Sequence, residues 1–181
     1  GDLIYSLSLI KELSKEKKCN LLVEINKKNQ LPYPHHPSGE VMINSKSFEL
    51  LLPLLKSQSY LNSVKEYSNE NIDVDLNLFR EMPFNIIFHS VRWYSHLTGV
   101  PVDMQKEFMK VGTIDTFKDK ITIVRSPRYR NEYVNYKFLS NFKDLIFVGL
   151  HEEYVNLKKE IRFLEFHDCK DFLEMAEIIN S

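Results

Sequence analysis

Short branched-apolar runs alternate with amphipathic stretches along this chain, and that alternation constrains its fold more than any other feature. Lys120–Val124 (KITIV) and Leu145–Val148 (LIFV) are too short and too rich in branched and aromatic residues for helices, and each is bounded by turn or polar residues. Between and after them lie a weakly helical stretch over 132–142, a polar helix over Glu152–Glu160 and an apolar one over Asp171–Ile179. Ile161–Phe166 reads as a further strand. Strand, helix, strand in repeated order predicts crossover connections and a parallel sheet, hence an α/β fold.

The first part of the chain carries the same pattern. Leu3, Leu7, Ile10 and Leu13 recur at spacings of three and four with Lys11, Glu12, Lys15 and Glu16 between them, which predicts a helix with one buried stripe. Leu21–Ile25 reads as a buried strand, Leu31–Gly39 with three prolines as a loop, and Phe48–Leu55 as a helix in spite of Pro53. Lys65–Tyr67 and Ile72–Leu76 are strand candidates, the second through its alternating Asp73 and Asp75. A helix over 84–97 should stop at Thr98-Gly99 ahead of Pro101. Residues 100–118 form the best linker candidate, which places one unit over 1–112 and another over 113–181.

Charge and cysteine content narrow the function classes. With 24 Lys and Arg against 25 Asp and Glu, the formal charge is −1, so no global basic field draws the chain to nucleic acid. No apolar run approaches the roughly 20 residues of a membrane span, though peripheral membrane contact is compatible with the sequence. Two distant cysteines, Cys19 and Cys169, form neither a metal knuckle nor a disulfide framework and suit a reducing cytoplasm. His35-His36 and the pair His89 and His96 lack the spacing of a zinc site, so no metal is expected.

Three places carry residues suited to chemistry. Gly1-Asp2 opens the first helix, where a carboxylate can serve as a base or simply cap the helix. Arg125-Ser126-Pro127-Arg128-Tyr129-Arg130 follows a strand directly. Three guanidiniums and a hydroxyl there suit a phosphate, the alternative being a solvated basic turn. Gly149-Leu150-His151-Glu152-Glu153 also follows a strand. Glu152 or Glu153 can accept hydrogen bonds from ribose hydroxyls or merely complement the helix dipole. No dinucleotide fingerprint or Walker loop is present.

GDLIYSLSLIKEL resembles the N-terminal signature of the heptosyltransferase-like glycosyltransferases (glycosyltransferase family nine), with Ser8 where that family usually has proline. ITIVRSPRYRN, LIFVGLHEE and DFLEMAEII look like successive elements of that family's nucleotide-sugar domain. The resemblance implies a GT-B fold of two Rossmann-like units: an acceptor domain over 1–112 lacking its first strand, and a truncated donor domain over 113–181. It implies inverting, metal-independent transfer of a sugar, heptose being one candidate, from a nucleotide-diphosphate sugar to a glycan or lipopolysaccharide-type acceptor. No cofactor beyond that substrate is needed. Asp2 would then be the catalytic base; Arg125, Ser126, Arg128 and Arg130 would meet the donor diphosphate; and Gly149, Glu152 and Glu153 would hold the donor ribose. Two other readings stay open: a noncatalytic α/β module binding phosphate or sugar, and a GT-B-like nucleotide-sugar epimerase.

Overall fold

The computed structural model describes residues 2–28, 39–81, 89–127, 130–131 and 133–181. It is a mixed α/β structure with two small parallel sheets. The chain divides into two compact units, one formed by Gly1–Ile25 and Leu55–Lys110, the other by Asn26–Leu54 and Val111–Ser181.

In the first unit, α1 (Asp2–Leu13) leads into β1 (Cys19–Val23), which pairs in parallel with β2 (Leu61–Glu66). Burial in α1 exceeds the single stripe its spacing indicates: Leu7 and Ile10 are buried and Leu3 and Leu13 half-buried, but Ser6, Ser8 and Leu9 are buried as well, so the middle of the helix is covered on every side. Leu9 packs with Phe79, Trp93 and Tyr94, so α1 lies against α3 (Ser90–Thr98) and the 3₁₀ turn Leu76–Glu81. Gly99 closes α3 in the left-handed conformation at φ +69°, the geometry that a glycine after the last turn supplies without a Cβ penalty. The part of this helix expected over 84–88 lies outside the described residues, as do residues 31–38 of the proline-rich loop.

The strand expected at Ile72–Leu76 does not form. Alternation would place Ile72, Val74 and Leu76 on one face, but Ile72 and Val74 are left exposed, and Asp75 accepts a hydrogen bond from the Asn77 amide (2.9 Å) that starts the 3₁₀ turn and turns Leu76 into the core. β2 begins at Leu61, earlier than its apolar residues indicate, because the Asn20 side chain accepts from both Asn62 (2.7 Å) and Ser63 (2.7 Å) across the strand pair. Residues beyond Val100 stay with this unit. The buried Gln58 amide donates to the Lys110 carbonyl (3.0 Å) and accepts from its N–H (2.9 Å), while the Tyr60 hydroxyl donates to the Phe108 carbonyl (2.8 Å).

The second unit is built on a three-stranded parallel sheet, β3 (Ile121–Arg125), β4 (Leu145–Gly149) and β5 (Glu165–His167), with β4 in the centre. Leu145 to Val148 are all buried, which explains why this strand reads as a continuous apolar run without alternation. Leu145 and Phe147 face a cluster with Leu157 of α4 (His151–Lys158), Ile161 and Leu164. Ile146 and Val148 face the opposite way, toward Ile178 of α5 (Phe172–Ile179). Ile161 and Leu164 were expected at the start of the third strand. Both are fully buried, yet they close the turn after α4 through Ile161 N–H to the Leu157 carbonyl (3.1 Å), and β5 starts only at Glu165. A further helix, α2 (Ser45–Lys56), is continuous through Pro53. Its start is capped by Asn44, whose side chain accepts from the Ser47 amide (2.8 Å).

Candidate functional site

Parallel strands end together, so the register of β3 and β4 brings two of the three chemistry-bearing segments side by side. Arg125 is paired with Gly149 at the carboxyl ends of those strands, the edge where α/β sheets offer ligands a crevice. Gly149 adopts φ +133°, a region that side chains rarely enter, and a Cβ there would meet the Phe147 ring at 3.6 Å and the Arg125 carbonyl at 3.7 Å. This bend sends the chain from β4 into α4, whose first turn carries Glu152 and Glu153. Glu152 is exposed and Glu153 buried.

Glu153 and Arg125 are partners. Their side chains are 5% and 6% exposed, and Arg125 Nε lies 2.7 Å from Glu153 Oε2. The Nε–H is not aimed along that line, so the contact acts through charge more than through a well-directed hydrogen bond. The guanidinium is directed from its other end. Nη2 donates to the Glu153 carbonyl (3.1 Å) and to Asn156 Oδ1 (2.9 Å), and the Tyr136 ring lies beneath it at 5.2 Å. The second carboxylate oxygen, Oε1, is 3.6 Å from Nη1 of Arg130, whose side chain is 34% exposed. Ser126, half-buried, accepts the Arg130 amide on its carbonyl (2.9 Å). Arg128 lies outside the described residues.

Asp2 belongs to the first unit. It stands in the first turn of α1, 43% exposed, and accepts a hydrogen bond and ion pair from Arg80, which itself rests on the Phe79 ring at 4.8 Å. The Tyr94 hydroxyl donates to the Asp2 carbonyl (3.2 Å). Burial, with the Asp2 charge behind it, pushes that phenol well above its usual range, so Tyr94 stays a neutral donor. Beside them the exposed Tyr5 ring meets the His89 ring edge-on at 4.6 Å. Nδ1 of His89 accepts from the Val91 amide (3.3 Å) and thereby caps α3.

Of the residues singled out in the sequence, the structure therefore brings together Arg125, Arg130 and Glu153, with Gly149 and Ser126 adjoining. It gives Asp2 a partner, Arg80, that the sequence did not indicate. Neither Arg80 nor Asn156 carries a local signal: each is a lone polar residue 78 or 31 positions from the charge it meets. Trp93 and Tyr94 are core, and Arg92 is exposed. His35 and His36 fall outside the described residues. Among the described residues no three His, Cys, Asp or Glu side chains come together as a metal-holding group. None of the described helices is long and apolar enough to cross a membrane.

Elsewhere on the second unit a cavity of about 280 Å³ is lined by Phe117, Lys120, Glu165 and His167. Its charges are engaged, Lys120 with Glu165 at 3.0 Å and His167 with Glu174 at 3.1 Å. Comparison of the chain with family models, curated proteins and solved structures yields no match.

Proposed function

We propose that the chain is a heptosyltransferase-like glycosyltransferase of the GT-B type, working in the cytoplasm. It would transfer a sugar from a nucleotide-diphosphate donor to a hydroxyl of a glycan or lipid-linked glycan. One observation carries the reading. Arg130, Ser126, Gly149 and Glu152 gather at the carboxyl edge of a parallel sheet, where an anionic nucleotide suits both the topology and the charge. The Gly-Asp opening of α1 supports it from the sequence side.

In this mechanism the Asp2 carboxylate, steered by Arg80, takes the proton of the acceptor hydroxyl as that oxygen attacks the anomeric carbon. The bond from that carbon to the diphosphate breaks on the opposite face, and guanidinium groups of the 125–130 segment stabilise the charge gathering on the leaving diphosphate. Glu152 accepts hydrogen bonds from the ribose.

Calorimetry with ADP-, UDP- and GDP-sugars tests the binding step, and transfer assays with Asp2→Asn test the chemistry. Micromolar binding of one donor, with turnover abolished in Asp2→Asn and donor affinity kept, is expected. Failure of all three donors to bind overturns the proposal. Commitment of Arg125 to Glu153 favours a second reading, a noncatalytic α/β module, which is distinguished by donor binding without any Asp2-dependent transfer.

A further inference from the structure

The cavity of about 280 Å³ on the second unit has no part in the donor-site reading. It lies toward the amino ends of β3 and β4, whereas Arg125 and Gly149 stand at their carboxyl ends. Parallel register sets Glu165 beside Ile146 and His167 beside Val148, so these four share the sheet face that α5 covers. Lys120 stands one residue before β3 and pairs at 3.0 Å with Glu165 of β5. That ion pair therefore crosses the central strand, and Ile146, 1% exposed, gives the cavity an apolar floor.

One wall is fixed. The Phe117 and His167 rings meet edge to face at 5.0 Å, and His167 is 3.1 Å from Glu174, which also accepts the Lys170 amide (2.8 Å). The Phe117 carbonyl accepts the Lys120 amide (3.0 Å), which ties the start of β3 to that wall. The Lys120–Glu165 pair is the movable part. The two side chains are 30% and 69% exposed, and neither has another polar partner among the described residues. A pair this open contributes little to folding, so a ligand can part it at small cost.

The charges restrict what that ligand is. An anion on Lys120 would lie against the Glu165 carboxylate, and a cation on Glu165 against the Lys120 ammonium, so either is repelled by the second group. A molecule carrying both charges replaces what each side chain gives up. Because the two groups start 3.0 Å apart, its charges must also be close neighbours, as they are on a single α-carbon. The volume equals that of about nine waters at about 30 Å³ each, which admits one amino acid and is too small for a nucleotide-sugar.

We propose that this cavity binds a free α-amino acid with an apolar side chain. Its carboxylate accepts from Lys120, its ammonium donates to Glu165, and its side chain packs on Ile146 and Phe117. The site is independent of the donor-site reading, and either can fail with the other intact.

L-Leucine is the probe, followed by calorimetry and by amide NMR shifts. Saturable binding with a Kd below about 1 mM is expected, with shifts at Phe117, Lys120, Glu165 and His167 and none at Arg125 or Gly149. N-Acetyl-L-leucine, L-leucinamide and glycine, which lack the ammonium, the carboxylate and the side chain in turn, should each bind about tenfold more weakly or worse. Lys120→Met should erase the preference for leucine over leucinamide, and Glu165→Gln the preference over N-acetyl-leucine. An unchanged urea midpoint checks that both variants fold. In the parent protein, N-acetyl-leucine binding as well as leucine would make this a plain anion site, and leucinamide doing so a plain cation site; either overturns the proposal. So does glycine binding as tightly as leucine, a lack of saturable binding, or shifts confined to other residues. Titration of the same sample with nucleotide-sugars reads the donor site separately.

Discussion

Substituting Glu153 by alanine is the most direct probe of what holds the second unit together. The carboxylate and the Arg125 guanidinium lie 2.7 Å apart with side chains 5% and 6% exposed. At an effective dielectric constant of about 20, charges at the 2.7 Å separation attract by about 6 kcal/mol, much of which offsets the cost of dehydrating both groups. Removing one partner exposes the full cost of the other, because Arg125 stays enclosed by Tyr136 and α4 with its charge unmatched. The expected loss is about 3–5 kcal/mol. With a urea dependence of about 1–3 kcal/mol per molar, the midpoint should fall by more than about 1 M. Far-ultraviolet circular dichroism is the suitable readout, since the single tryptophan, Trp93, belongs to the other unit. Raising salt from 0.05 to about 0.5 M should barely change the difference, because a buried pair is screened far less than a surface one. A loss below about 1 kcal/mol, or one that disappears in salt, would mean that the pair is solvated and behaves like an exposed bridge.

Three more outcomes follow from other sites. Gln58→Leu keeps the bulk of the buried side chain but leaves the Lys110 N–H and carbonyl without their partner; it should cost about 2–3 kcal/mol and speed exchange of the Lys110 amide hydrogen, and an unchanged exchange rate would contradict the clip. Burial, with the charges of Glu174, Asp168 and Asp171 behind it, pushes the Cys169 thiol up to about 11, so iodoacetamide should modify it on the order of a hundredfold more slowly than an ordinary thiol at neutral pH, and equal labelling of native and urea-unfolded protein would refute this. Glu174 is held below the usual carboxylate range by the Lys170 amide (2.8 Å) and by His167 (3.1 Å), so its contribution to stability is complete above the unfolded pKa and is lost as pH falls through the lower folded value. Glu174→Gln should therefore flatten the decline in stability below about pH 4.5, and an unaltered acid limb would count against it.

Sequence and structure agree where one local physical signal dominates. The helix α1, the apolar β4 and the glycine that ends α3 were each legible because burial or a special backbone angle selects the residue type directly, although α1 is buried all round its middle and not along one stripe. Ile72–Leu76 failed as a strand because an alternating pattern does not by itself supply a surface to bury it: Ile72 and Val74 stay exposed, and Asp75 turns the chain instead. Ile161 and Leu164 misled for the opposite reason, since burial alone does not separate a strand from a tight turn beneath a helix. At the candidate site the segments were legible and the pairings were not. Arg125 and Glu153 are 28 residues apart, and only the β3–β4 register makes them neighbours. The partnership of Asp2 with Arg80 spans 78 residues and rests on the packing of α1 against α3 and the 3₁₀ turn.

The two parallel sheets also differ in how far apart along the chain their partners lie, and this bears on the order in which they assemble. Cys19 of β1 meets Leu61, 42 residues later, whereas Ile121 meets Leu145 after 24 and Ile146 meets Glu165 after 19. Each doubling of a closed loop adds about 0.6 kcal/mol of lost chain entropy, so the first sheet starts at a disadvantage of that order. Among the described residues it is also a two-stranded sheet, marginal until helices cover it, while β4 gains neighbours on both edges and cover on both faces. Folding should thus nucleate around β4 and reach the β1–β2 pair last, which would leave the Asp2 end as the slowest part of the chain to mature.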